Sequence, residues 1–232
     1  IILFLASFSG FSQEFSDKEY YLVDSLSIDA LGKEDVKLLD SCLKVYHASK
    51  QDTSRIKTLT FLIEEMVSND WIKYQFYQYK ELQVLQEKSN SDIKDALQVD
   101  FASSLGNMGY AYYLKGKQDK ALEFYIRSQE IYEEIGDQSG IASILNNIGL
   151  TYAELGKVKK AILCYNSSLK IEEEIGNKEG VALSLNNIGA IYNAQGQVKE
   201  ALGCYNNSLE IYQELGEKEG VARAFNNIGL IY

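Results

Sequence analysis

The sequence predicts an all-α protein, a right-handed solenoid of stacked helical hairpins, and three observations carry that prediction. First, residues 141–180 and 181–220 align without gaps at 22 identities in 40, and the same register runs back over 101–140 and forward into 221–232. A fixed period of this size marks supersecondary units that cannot bury both faces alone and must stack. Second, within one unit Leu145, Ile148, Gly149 and Tyr152 fall at i, i+3, i+4 and i+7, and Ala161, Tyr165, Ser168 and Leu169 at i, i+4, i+7 and i+8. That is one apolar face on each of two helices. Third, the chain of 232 residues contains no proline, while glycines recur where helices should stop. Long uninterrupted helices are therefore permitted.

Taken in chain order, residues 1–12, "IILFLASFSGFS", read as a signal-peptide remnant: an apolar run from Ile1 to Phe8, then Gly10 and Ser12 in a small-x-small cleavage pattern, with Gln13 as the mature start. The alternative is an apolar first helix folded into the core. Export to a periplasmic or cell-surface location of the Gram-negative kind follows from the first reading, a cytoplasmic location from the second. Neither an initiator Met nor a basic leader precedes Ile1, so the chain reads as truncated at its front. Residues 13–54 form an N-terminal helical segment, with a short helix near 18–29 and an amphipathic one over 33–48. Residues 55–100 hold a divergent hairpin, "RIKTLTFLIEEMV" and "WIKYQFYQYKELQVLQEK" joined by "SND", and the start of the next helix. An atypical terminal unit is expected of a stacked array.

Over 101–232 the spacing predicts three regular hairpins, 101–135, 138–175 and 178–215, and the first helix of a further unit. Gly156 stands where the first helix would end with positive φ, Gly176 closes the second helix, and Asp137 and Asn177 are the N-cap candidates of the next unit. Gly149 and Ala161 lack bulk, so the two axes can approach while Tyr152 and Tyr165 fill the space beside them. Gly109, Gly189 and Gly229 repeat the first small position; Ala121 and Ala201 repeat the second. Phe225, Ile228, Gly229 and Tyr232 present a face to a second helix that the sequence does not contain. The natural protein is expected to continue, with more repeats, a cap, or a membrane anchor and effector domain.

This pattern resembles the tetratricopeptide repeat, whose W-x₂-L-G-x₂-Y…A-x₃-F spacing is matched by Leu145, Ile148, Gly149, Tyr152, Ala161 and Tyr165. Two features depart from it: the period is 40 rather than 34, and Glu173 and Gln213 stand where a proline is usual near the end of the second helix. The variant is similar to the longer repeats of kinesin light chain, of Rap-type bacterial regulators and of the arrays placed ahead of bacterial membrane-bound sensor kinases. The segment "LDSCLKVYHASKQDTSRIKTL" resembles the stretch that leads into such exported arrays.

Composition bounds the partners. A net charge of -10 argues against a nucleic-acid or anionic-membrane surface and favours basic or neutral protein partners. No phosphate loop exists, since "GYAYYLKGKQ" has the wrong glycine spacing and Gln118 where Ser or Thr should bind magnesium. One histidine, His47, and three cysteines without metal-ligand spacing give no metal site. Cys164 and Cys204 lie one repeat apart on stacked helices too distant for a disulfide, so both are expected to be reduced. The acidic runs "EEIGD" at 133–137 and "EEEIGN" at 172–177 read as solvated faces. No catalytic residue, cofactor or metal is assigned to the fragment.

The doubled asparagine of "LNNIG" is the candidate site. Asparagine is a poor helix-interior residue, and two per repeat need a reason. With Leu145, Ile148, Gly149 and Tyr152 turned to the second helix, Ser143, Asn146, Asn147, Leu150 and Glu154 are left to line the inner surface. By resemblance to the long-repeat relatives, Asn107, Asn147, Asn187 and Asn227 form a carboxamide ladder that grips the backbone of an extended peptide, with Asn146, Asn186 and Asn226 beside them. A carboxamide both donates and accepts, so it can pair with any peptide unit. The alternative is that these residues bridge neighbouring repeats as buried, satisfied groups. Two functions follow: a peptide- or protein-binding array forming the sensory half of a larger signalling protein, or a spacer or dimerisation element attached to a catalytic domain.

Overall fold

A computed structural model describes Leu22, residues 31–89 and residues 91–231. Ten helices and no strand occur among the described residues. The segment 1–12, the short helix expected near 18–29 (Leu22 apart) and Tyr232 lie outside them. The chain divides into two compact units, Ile1–Leu97 and Gln98–Tyr232.

In the first unit, α1 (Lys33–Ala48), α2 (Asp52–Glu65) and α3 (Trp71–Lys88) pack consecutively. Their apolar faces meet in a core of Leu39, Cys42, Leu43 and Tyr46 from α1, Leu59, Leu62 and Ile63 from α2, and Tyr74 from α3. Asp35, in the first turn of α1, is 3% exposed and accepts hydrogen bonds from the backbone N–H of Val67 (3.0 Å) and Ser68 (2.9 Å) in the α2–α3 loop. One carboxylate therefore fixes both that loop and the start of α1. Gln78 of α3 reaches Thr60 Oγ1 at 2.7 Å, a second polar tie inside the unit.

The second unit is an all-α solenoid. It holds α4 (Ser91–Leu114) from Gln98 onward, α5 (Gln118–Ile135), α6 (Gln138–Glu154), α7 (Val158–Ile175), α8 (Lys178–Ala194), α9 (Val198–Leu215) and α10 (Lys218–Gly229). α4 starts ten residues before the regular register, because Ile93 and Leu97 extend the helical pattern and no Pro or Gly interrupts it. Each hairpin closes as its small residues predict. A Cβ on Gly109, Gly149 or Gly189 would stand 2.6, 2.6 or 2.8 Å from the ring of Tyr125, Tyr165 or Tyr205, so only glycine admits those rings. These three tyrosines are 1–2% exposed. Tyr152 is half-buried: it packs against the core around Ala161 and Tyr165, with Lys157 and Lys160 over its ring.

Polar ties repeat with the fold. Ser128, Ser168 and Ser208, all fully buried on the second helices, donate to the carbonyls of Ala102, Ala142 and Ala182 on the first, at 2.6, 2.8 and 2.7 Å. Because the acceptor is a backbone oxygen, the tie survives any side chain at the alanine that fits. Gly136, Gly176 and Gly216 stop the second helices at φ 74°, 74° and 71°, and the next residue donates back to the last turn. Asp137 and Asn177 cap the following helices by accepting from Gly140 and Gly180 N–H.

Candidate functional site

The paired asparagines occupy α6, α8 and α10, but the two members of each pair have different surroundings. Asn146 and Asn186 are 6% and 5% exposed. Asn146 Nδ2 donates to Ser168 Oγ (2.6 Å) on its own hairpin and to Ser184 Oγ (3.2 Å) on the next. Its Oδ1 accepts from Asn187 Nδ2 at 3.3 Å, and Asn186 Oδ1 accepts from Asn227 Nδ2 at 2.8 Å. The first asparagine is thus a buried fastener between successive repeats, which corrects the expectation that Asn146 and Asn186 line the groove. The physical reason is rotation. Asn146 lies one helical turn after Ala142 and one turn before Gly149, both buried, so it shares their face and the packed interface extends past the apolar stripe to include it.

The second asparagine stays half-buried at Asn107, Asn147, Asn187 and Asn227, while Asn226 is exposed. Asn147 lacks the carboxamide partner that Asn187 and Asn227 have, because the residue equivalent to Asn146 one repeat earlier is Gly106. There Ile144 takes the space, its Cδ1 lying 2.8 Å from where a Cβ on Gly106 would be. Asn147 therefore keeps its amide group for other partners, Asn107 makes no side-chain hydrogen bond among the described residues, and Asn187 and Asn227 keep an acceptor oxygen. Ser143, Leu150 and Glu154 are exposed on the same helix as Asn147.

A cavity of about 380 Å³ opens along α6, α8 and α10, lined by Ser139, Ser143, Glu172, Gly180, Leu183, Tyr212 and Arg223 among others. Glu172 is the surprise in its wall. The acidic runs read as solvated faces in the sequence, and Glu133, Glu134, Glu173 and Glu174 are indeed exposed, but Glu172 is 4% exposed. Its Oε2 has no hydrogen-bond partner. Burial pushes its carboxyl above the usual range, against a hydrogen bond with Asn177 that draws it down. The sequence carried a signal for this: the equivalent residues one repeat either side are Tyr132 and Tyr212, both buried. Among the described residues no group of three His, Cys, Asp or Glu could hold a metal ion, and no helix is long and apolar enough to cross a membrane. Cys42, Cys164 and Cys204 are free thiols.

A search of curated proteins finds no match. Solved structures do match. BtubC (BKLC) of P. vanneervenii superposes with a TM-score of 0.66 at 22% identity, over 86% of this chain and 80% of that one. Aspartyl phosphate phosphatase F of Bacillus subtilis gives 0.62 at 14% identity, over 85% of this chain and 48% of its own length. A putative kinesin light chain of Podosopora anserina with nearly identical TPR-like repeats gives 0.54 at 16%, over 78% and 90%. At these identities the likeness establishes the fold. The family model for the tetratricopeptide repeat matches residues 100–174 and 180–232, the stretch whose glycines, tyrosines and caps build the hairpins described above, and the chain belongs to the tetratricopeptide repeat family.

Proposed function

We propose that the chain is a protein-binding scaffold whose groove, lined by the first helices of the repeats, holds an extended peptide segment. The observation that carries this reading is the half-open row of Asn107, Asn147, Asn187 and Asn227, with the amides of Asn107 and Asn147 uncommitted inside the protein. An uncommitted carboxamide on a helix face is a ready partner for a peptide N–H and C=O, and the affinity it supplies does not depend on the peptide's side chains. Export to a periplasmic or cell-surface location, and service as the sensory or interaction region of a larger bacterial signalling protein, belong to the same proposal. The resemblance of 39–59 to exported arrays and the apolar run of 1–8 support them.

Asn147→Ala tests the groove with the least structural side effect, since its carboxamide holds no neighbouring repeat. Its binding to a random-sequence peptide display pool, selected first on the wild-type protein, should fall about tenfold while the melting temperature stays within about 1 °C. Wild-type protein that enriches no peptide, yet self-associates in sedimentation, would favour a dimerisation array instead.

A further inference from the structure

Glu172 sits in a position built for a tyrosine. At the equivalent points of the neighbouring hairpins, Tyr132 and Tyr212 lie against Gly140 and Gly220, and a Cβ on either glycine would collide with the ring. Gly180 stands over Glu172 in the same way. The carboxylate is smaller than a phenol ring, and Glu172 lines the cavity along α6, α8 and α10. Its Oε2 is an acceptor buried without a donor, which costs free energy unless something arrives to pair with it.

The charges around the cavity decide what that something is. Glu179 adds a second carboxylate at the rim. Among the described lining residues the one cation is Arg223, which donates through Nη2 to Tyr212 Oη at 3.0 Å and lies over that ring at 5.5 Å, turned to the tyrosine rather than to Glu172. Leu183 and the Tyr212 ring give the lining its apolar groups, while Ser139 and Ser143 add hydroxyls. A lining with apolar groups and a buried acceptor suits an aliphatic stem ending in an ammonium group.

We infer that the cavity over Glu172 is a binding pocket for a primary alkylammonium group, the end of a lysine side chain on a segment held in the groove. The lysine assignment rests on the groove reading above; the ammonium pocket stands without it. With the flexible Glu172 side chain turned so that Oε2 faces the cavity, the carboxylate accepts from the ammonium, Ser143 accepts a second of its hydrogens, and the stem lies along Leu183. The chain's net charge of -10 draws such a segment toward the protein.

The test uses the whole chain, amide NMR, and two probes: n-butylammonium chloride and acetyl-Gly-Gly-Lys-Gly-Gly-amide. Butylammonium should shift the amides of Asn177, Gly180 and Leu183 saturably, and n-butanol should not. Glu172→Gln, which keeps the shape, should weaken the response at least about tenfold. Glu172→Tyr, which installs the neighbouring hairpins' residue and so should fold, should abolish it. An unchanged response in Glu172→Gln would overturn the pocket. So would an equal response to n-butanol, or no saturable shift by about 100 mM, the weakest affinity a ligand of about five heavy atoms should show. Asn147→Ala separates the two readings. Peptide binding lost in Asn147→Ala but indifferent to Glu172→Gln leaves the groove and removes the lysine assignment, while butylammonium alone decides the pocket. Butylammonium binding that needs Glu172, beside a peptide response indifferent to Asn147→Ala, supports the pocket and removes the groove.

Discussion

Asp35 and Glu172 are both buried carboxylates, at 3% and 4% exposure, and they have opposite consequences. Asp35 receives two backbone N–H groups, so although burial pushes its carboxyl up, the hydrogen bonds from Val67 and Ser68 outweigh that and hold it below the usual range. Glu172 has a side-chain neighbour in Asn177 but an Oε2 without a donor, and burial wins. The difference lies in what the fold supplies nearby. A loop end offers N–H groups that no helix uses, whereas the side of a stacked helix offers none. A carboxylate placed at the first kind of site fastens the fold. One placed at the second is held at a cost by its neighbours.

The largest expected effect is at Asp35. Asp35→Ala removes two charge-assisted hydrogen bonds from half-buried backbone donors, which should destabilise the first unit by about 2 kcal/mol. Hydrogen exchange should show α1 to α3 losing protection while residues 178–215 keep theirs, because packing here is between neighbours in sequence. Uniform loss along the chain would contradict that locality.

A second effect compares the two kinds of slot directly. Gly140→Ala drives a methyl into the rigid Tyr132 ring, whereas Gly180→Ala meets the far end of a flexible glutamate. Urea denaturation should give a loss of about 2 kcal/mol for the first and less than about 1 kcal/mol for the second, with part of the overpacking offset by alanine's better helix propensity. Equal losses would mean that Glu172 is pinned as firmly as the tyrosines.

The smallest effect is in the pH profile. Asp35 binds its proton less readily in the folded state, so its contribution is present above its ordinary value of 3.8 and is lost as pH falls through that value and below. Glu172 binds its proton more readily in the folded state, so stability attributable to it falls as pH rises above its ordinary 4.5. Subtracting the Asp35→Asn and Glu172→Gln stability profiles from the wild type should yield slopes of opposite sign. A shared sign would show that one of the two carboxylates has been assigned the wrong surroundings.

Much of the architecture was legible in local text. The helix expected over 33–48 is observed with those bounds, and the hairpins, the closing glycines at 136, 176 and 216, and the caps Asp137 and Asn177 fall where the period puts them. Each of these depends on interactions within about one helical turn, so a few adjacent residues contain the whole cause. The candidate site was legible only as a row of positions. Asn146 and Asn147 are adjacent and identical in kind, and the apolar stripe read from the sequence left both outside it, although Asn146 shares the face of Ala142 and Gly149.

What the sequence by itself determined is the hairpin, its period and its closure by Gly149 against Tyr165, because helical spacing and side-chain volume are properties of the chain alone. What only the tertiary structure decided is the fate of the polar groups: Asn146 joined to Ser168 and Ser184, Asn147 left open beside Gly106, and Glu172 enclosed where its exposed neighbours Glu173 and Glu174 suggested solvent. A polar side chain is stable in water and in a satisfied network alike, so its sequence context does not choose between them. The donors and acceptors that choose come from residues about 22 to 41 positions away, and stacking alone brings them within reach.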